Sequence, residues 1–137
     1  MKNLFLSIFT LVVLASCGAT KNTSSSKVGS AQPSIANTKW ALADNVKGQT
    51  PTLIIEGSKI NGNSGCNNYS GGVLTETSLG KFEASQVAST RKACDYMTVE
   101  KNYLQMLQKV NKYVVSGNTL ELYQDNLLLL KFNKITE

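Results

Sequence analysis

The fold is decided by the stretch GNSGCNNYSGG, residues 62–72, which places glycine, asparagine and serine around one cysteine and one tyrosine. Glycine and asparagine adopt positive φ angles at a lower cost than other residues, so the stretch predicts bulged, tightly turned backbone. Short strands are predicted on both sides of it: 52–56 and 59–62 around a turn at Gly57-Ser58, and 73–75 and 81–84 around a turn at Thr77-Ser78.

Further strands are predicted on either side of this region. Residues 38–43 alternate, with Trp40 and Leu42 on one face. Toward the carboxyl terminus, 113–116 and 119–123 flank a turn at Gly117-Asn118, and 127–132 follow a turn at Asp125-Asn126. Alternation in this last segment directs Leu128, Leu130 and Phe132 inward.

A single helix is predicted at about residues 98–111. Its apolar residues recur at helical spacing, at Val99, Tyr103, Leu107 and Val110, and this stripe indicates packing against a sheet. Thr98 is expected to be the N-cap, and Glu100 is expected to complement the helix dipole at the surface of the first turn. Seven or eight antiparallel strands with one helix indicate a mainly β fold of the α+β type, either a small barrel or a strongly curved sheet.

The amino terminus is typical of a secretory signal. Lys2 precedes an apolar run of eleven residues, 4–14, which is too short to span a bilayer as a helix. The run ends in Leu-Ala-Ser-Cys at residues 14–17, which resembles the lipobox of bacterial lipoproteins. The resemblance implies that residues 1–16 are a signal peptide and that Cys17 carries acyl chains such as palmitate. The alternative is an ordinary cleaved signal that leaves Cys17 as a free thiol.

Residues 17–36 are expected to form the lipidated cysteine and a flexible linker, because they are rich in Ser, Thr, Gly and Asn. Residues 37–133 then form the folded domain. Gly18 stands where an aspartate would favour the inner membrane in the sorting rule that this sequence resembles. We therefore expect an outer-membrane anchor, with the periplasmic face favoured over the cell surface.

Composition excludes several functions. The chain has no histidine, which removes Ser-His-Asp and Cys-His catalysis and His-ligated metals. From Asn37 onward, eleven Lys and Arg against nine Asp and Glu give a net charge of +2, too balanced for a nucleic-acid binder. No two acidic residues form a motif for acid–base chemistry. We expect no enzyme activity, no cofactor and no metal site.

The two cysteines beyond Cys17 are Cys66 and Cys94. In an oxidising compartment they are expected to form a disulfide, which would stabilise the fold by roughly 3.5 kcal/mol in the chain-entropy model. Two buried free thiols are the first alternative. A catalytic thiol is the second, although the chain has neither a Cys-x-x-Cys motif nor an activating histidine.

Three clusters together resemble the META domain, the family of HslJ-like heat-shock lipoproteins, over about residues 37–133. They are a tryptophan strand, a Gly-Cys-Asn-x-Tyr-x-Gly core and a Thr-Arg-x-x-Cys segment, with the residues Trp40, Gly65, Cys66, Asn67, Tyr69, Gly71, Thr90, Arg91 and Cys94. Lys92 and Asp95 depart from the usual pattern. The resemblance implies a lipocalin-like barrel with one helix and pairs the two cysteines, but it supplies no catalytic residues.

These observations predict a non-catalytic envelope lipoprotein that is held on the membrane and acts by binding, in outer-membrane maintenance or the stress response. A protein of the envelope is the expected partner, with Tyr69, Tyr96 or Tyr123 as possible anchors. The alternative is a barrel that carries or senses a small apolar ligand. Bulky inward residues such as Trp40, Phe82 and Phe132 argue for a filled interior.

Overall fold

The computed structural model describes residues 27–136, so the predictions on the signal peptide and Cys17 lie outside the described residues. Eight antiparallel strands form a closed barrel in chain order, and β1 pairs with β8. The elements are β1 Thr38–Leu42, β2 Thr52–Glu56, β3 Lys59–Asn63, β4 Asn68–Glu76, β5 Lys81–Ser89, α1 Met97–Lys109, β6 Lys112–Ser116, β7 Thr119–Gln124 and β8 Leu127–Lys134. The predicted small barrel with one helix is confirmed.

The barrel interior is filled by side chains. Alternation along the strands sends large apolar residues inward, and four of the largest are fully buried: Trp40, Phe82, Tyr113 and Phe132. Helix α1 adds a fifth, Tyr103. Small barrels of eight strands have an interior just wide enough for such side chains. The prediction that bulky residues occupy the interior therefore holds.

Simple alternation of inward and outward side chains fails in strand β8. Leu122 pairs with Leu130, but the next residue, Tyr123, pairs with Leu128, so Leu129 is an extra residue in β8. This bulge reverses the direction of the side chains before it. Leu128 was predicted to point inward and is instead 42% exposed, whereas Leu130 and Phe132 are buried as predicted.

Helix α1 closes one end of the barrel. It buries Tyr103 and Leu107, and the ring of Tyr103 meets the ring of Phe132 edge-on at a centroid distance of 6.3 Å. The helix begins one residue before the predicted start, with Tyr96 at the N-cap position and no side-chain cap. The prediction of Thr98 as N-cap is therefore wrong.

The weakest seam of the barrel lies between β5 and β6, which pair in register only at Lys81 and Lys112. Residues 27–36, which we call the strap, cover this seam. The backbone amide of Gln32 donates to the Thr77 carbonyl at 2.8 Å. The side-chain Oε1 of Gln32 accepts from the backbone amide of Val115 at 3.0 Å. The strap thus supplies hydrogen-bond partners to Val115 of β6 and to the turn before β5.

The strap also corrects the predicted domain boundary. The linker was predicted to extend to Ala36, yet Ile35 is only 1% exposed and belongs to the hydrophobic core. The Tyr113 hydroxyl donates to the Pro33 carbonyl at 3.0 Å. The folded unit therefore includes the last residues of the predicted linker.

We expect Ile35→Ala to lower the free energy of unfolding by about 3 kcal/mol, because it removes a buried side chain and leaves a cavity at the seam. Urea denaturation monitored by tryptophan fluorescence measures the change. The matched control is Ile135→Ala, since Ile135 is 39% exposed and its truncation should cost about 0.5 kcal/mol. Equal effects of the two substitutions would show that the strap does not stabilise the barrel.

Candidate functional site

The predicted motif residues of the two cysteine segments converge at the end of the barrel where α1 begins. Asn67 precedes β4, Thr90 follows β5, and Glu100 lies in the first turn of α1. A disulfide joins Cys66 to Cys94 across this end, with the two Cα atoms 6.0 Å apart. We call the group of Asn67, Thr90, Lys92 and Glu100, together with the disulfide, the motif cluster.

The Asn67 amide holds the loop after β5. Its Oδ1 accepts hydrogen bonds from the Lys92 backbone amide at 2.8 Å and from the Thr90 hydroxyl at 3.0 Å. Its Nδ2 donates to the Lys92 carbonyl at 3.1 Å and to the Glu100 carboxylate at 2.9 Å. One side chain therefore satisfies both backbone groups of Lys92, as a neighbouring strand would.

Glu100 is the buried charge of the cluster. It is 7% exposed, and its carboxylate accepts from the Asn67 backbone amide at 3.0 Å and from the Ser89 hydroxyl at 3.4 Å, besides the Asn67 side chain. None of the ion pairs within the described residues involves it. The prediction of a surface residue that complements the helix dipole missed this role, because the carboxylate points back toward Asn67.

Close packing explains the two motif glycines. Gly65 has a φ of 107°, and a Cβ there would lie 2.8 Å from the Val99 side chain. At Gly71 a Cβ would lie 2.8 Å from the Ser85 carbonyl, because β4 and β5 approach each other at a bulge. Both positions therefore exclude any larger residue.

Two further motif residues, Trp40 and Tyr69, belong to the hydrophobic core. Trp40 is buried and donates through Nε1 to the Thr38 hydroxyl at 2.6 Å. Tyr69 donates to the Thr52 carbonyl at 2.8 Å, and its hydroxyl lies 2.8 Å from that of Tyr103. Burial raises the pKa of both phenols above its usual value of 10, so both hydroxyls stay protonated at neutral pH.

Two of the three tyrosines predicted as exposed anchors are buried. Tyr69 is inside the barrel, and Tyr123 is 4% exposed, with its hydroxyl donating to the Glu121 carboxylate at 2.7 Å. Burial raises the pKa of Tyr123 to about 12. Tyr96 alone of the three is exposed, at 44%.

The exposed part of the motif loop forms a mixed basic and apolar surface. Tyr96 and Met97 are exposed, and the side chains of Arg91 and Lys92 are exposed and make no ion pair with a described residue. We call these four residues the motif-loop surface. Three of them, Arg91, Lys92 and Met97, line an open pocket of about 420 Å³ together with Asn67, Thr90 and Glu100.

The reactive side chains of the motif cluster are already engaged with one another. The cysteines are joined to each other, and the carboxylate of Glu100 is already occupied by donors from Asn67 and Ser89. Within residues 27–136, no three His, Cys, Asp or Glu side chains form a group that could hold a metal ion. The helix of the described part is too short and too polar to cross a membrane.

Comparisons with known proteins agree with this fold. A family model described as the META domain matches residues 33–135. A protein from Burkholderia xenovorans, solved by NMR, is 21% identical with a TM-score of 0.66, covering 93% of this chain and all of its own. A second NMR structure is 18% identical with a TM-score of 0.55, covering 71% of this chain and 88% of its own. No curated protein matches the chain.

We expect Glu100→Gln to lower the free energy of unfolding by about 2 kcal/mol, because the Asn67 donors lose a charged acceptor. Urea denaturation measures the loss. The control is Glu83→Gln, since the Glu83 side chain is 60% exposed and pairs only with Lys81, so its loss should cost about 0.5 kcal/mol. A Glu100→Gln variant as stable as the control would mean that the buried carboxylate does not hold the cluster together.

Proposed function

Because this chain belongs to the META domain family, we propose that it is a non-catalytic binding protein of the bacterial envelope. In this proposal Cys17 is acylated, and the anchor holds the domain on the periplasmic face of the outer membrane. The domain binds a protein partner in outer-membrane maintenance or the stress response.

The observation that carries the proposal is the motif-loop surface. A disulfide and the Asn67 amide fix its backbone, so Arg91, Lys92, Tyr96 and Met97 are presented on a rigid frame. Preorganisation of this kind lowers the entropic cost of binding, and exposed aromatic and arginine side chains are the residues most enriched at protein interfaces. The neighbouring Asp95 leaves the surface with a net charge of +1, which favours an acidic partner segment.

The strap and the motif-loop surface lie at opposite ends of β4. The strap bonds to Thr77, just beyond the end of β4, whereas Asn67 stands just before its start. The nine residues of β4 span roughly 30 Å at the usual rise per residue. In this proposal the anchor precedes the strap, at the other end of β4 from Asn67, so the motif-loop surface is free to face the periplasm.

The filled interior supports a surface role over the alternative of an apolar carrier. Trp40, Phe82 and Phe132 are each no more than 2% exposed and occupy the space that a ligand would need. A carrier would have to displace packed side chains at a cost of several kcal/mol.

The anchor is tested on protein extracted from the membrane of the native host. We expect intact mass spectrometry to show a chain that begins at Cys17 and carries acyl chains. The Cys17→Ser variant is expected to carry no acyl chains and not to begin at residue 17. A native protein of unmodified mass, or acylation that survives Cys17→Ser, would contradict the anchor.

The partner is tested by chemical crosslinking of envelopes and capture of the full chain. We expect one stoichiometric envelope protein with the unmodified chain and at least about tenfold less with Arg91→Glu/Lys92→Glu, because two charge reversals at an interface cost more than 1.4 kcal/mol. The control is Lys109→Glu/Lys134→Glu, which makes the same charge change at exposed positions away from the loop. Equal recovery with both double variants would exclude the motif-loop surface, and no specific partner in any sample would contradict the binding role.

A further inference from the structure

We propose that the outer face of β3 and β4 binds an uncharged glycan chain that carries hydroxyl and N-acetyl groups. The binding groups are amide and hydroxyl side chains that we call the amide face: Asn61, Asn63, Asn68, Ser70 and Gln86. This inference goes beyond the proposed partner binding and uses a different side of the barrel.

The strand register brings four of these side chains into one block. Asn61 pairs with Ser70 and Asn63 pairs with Asn68, while the alternating residues Ile60 and Tyr69 are buried inside the barrel. Side chains of directly paired residues stand about 5 Å apart on the same face. The block therefore presents three amides and a hydroxyl together on one face of the barrel.

Two open depressions run along this block. One of about 560 Å³ includes Ser70 and Gln86 in its lining, the other of about 420 Å³ includes Asn63 and Asn68, and Asn61 lines both. Each volume is within the usual range for small-molecule sites. Because both are lined by Asn61, the two depressions are neighbours on this face, an arrangement that suits an extended chain better than a compact ligand.

The fold does not require amides at these positions. Asparagine is depleted in strands, where β-branched residues are favoured. The Ser70 side chain makes no hydrogen bond within the described residues, and the Asn68 side chain accepts only a long one, 3.4 Å from Asn63. The Asn61 Nδ2 donates to the Glu56 carboxylate at 3.2 Å at an exposed position, which leaves its Oδ1 as an acceptor. Asn63 differs, since its Oδ1 accepts from the Gly65 amide at 2.7 Å and shapes the turn.

A bulge adds the fifth side chain. The register between β4 and β5 shifts between Ser70 and Gly72, and Gln86 in the bulged segment has a φ of 50°. Bulges redirect a side chain relative to the strand. Gln86 is exposed and lines the larger depression, so a fourth primary amide joins the block from the neighbouring strand.

The chemistry of the lining narrows the ligand class. Glu56 and Lys59 at the edge carry opposite charges, so the larger depression is neutral and does not favour a polyanion. Neither depression is lined by tryptophan or phenylalanine, and the ring of Tyr69 is buried, so an apolar ligand gains little contact area. β3 is already paired on both edges, which excludes strand addition. Primary amides offer a donor and an acceptor side by side, which matches hydroxyl and N-acetyl groups.

The test is a titration of the ¹⁵N-labelled mature chain, made with Cys17→Ser to keep it soluble, with the N-acetylglucosamine tetramer chitotetraose. We expect amide shift changes at Asn61, Asn68, Ser70 and Gln86 and none at the motif loop. The tetraglucose cellotetraose, which lacks N-acetyl groups, should bind at least about fivefold more weakly, because hydrogen bonds to the acetamido groups are lost.

The decisive variant is Asn61→Val/Asn68→Val/Ser70→Val. It exchanges the exposed hydrogen bonds of Asn61 to Glu56 and of Asn68 to Asn63 for a residue favoured in strands, so its stability should stay close to that of the unmodified chain, while affinity for chitotetraose falls by about tenfold or more. The control is Leu74→Val, an outward residue of the same strand beyond both depressions, which should bind normally.

Absent shift changes, shift changes elsewhere, or a stable triple variant that keeps its affinity would each overturn the glycan site. Equal binding of cellotetraose would overturn the role of the N-acetyl groups. None of these outcomes bears on the motif-loop surface, because capture of a protein partner is measured with variants of Arg91 and Lys92.

Discussion

The contact between Glu100 and Asn67 is the constraint on which this end of the barrel depends. A buried carboxylate without a cation is tolerated only when hydrogen-bond donors surround it, and Asn67 supplies two of them. The same amide binds both backbone groups of Lys92, so the start of α1, the start of β4 and the loop after β5 are fixed by one side chain. The disulfide then ties the loop covalently at an adjacent position.

The interior and the exterior of the barrel differ at this end. Inside, α1 places Tyr103 against Phe132 and against the hydroxyl of Tyr69, which completes the packed interior. Outside, the loop carries side chains that contribute little to the fold, namely Arg91, Lys92, Tyr96 and Met97. The division separates residues that stabilise the barrel from residues that are available for recognition, and it accounts for the mixture of buried and exposed positions within one sequence motif.

Much of the barrel could be predicted from periodicity, since the strand segments, the hairpin turns at Gly57 and Gly117 and the helix each have a local pattern. The features that the sequence analysis did not predict depend on contacts between residues far apart in the chain. Ile35 is a single apolar residue in a polar segment, so nothing local indicates its burial. The bulge at Leu129 is invisible to alternation. Glu100 has the sequence position of an ordinary helix-dipole partner, and only the path of β4 brings Asn67 to it.

The uneven closure of the barrel determines how the molecule responds to mechanical load. Tension on the amino-terminal segment enters through Gln32 and reaches the β5–β6 boundary, where a single register pair joins the strands. The β7–β8 boundary, with six pairs, and the disulfide end lie away from that path. A pull on that segment therefore loads the two hydrogen bonds of Gln32 before it reaches the strand pairs of β1.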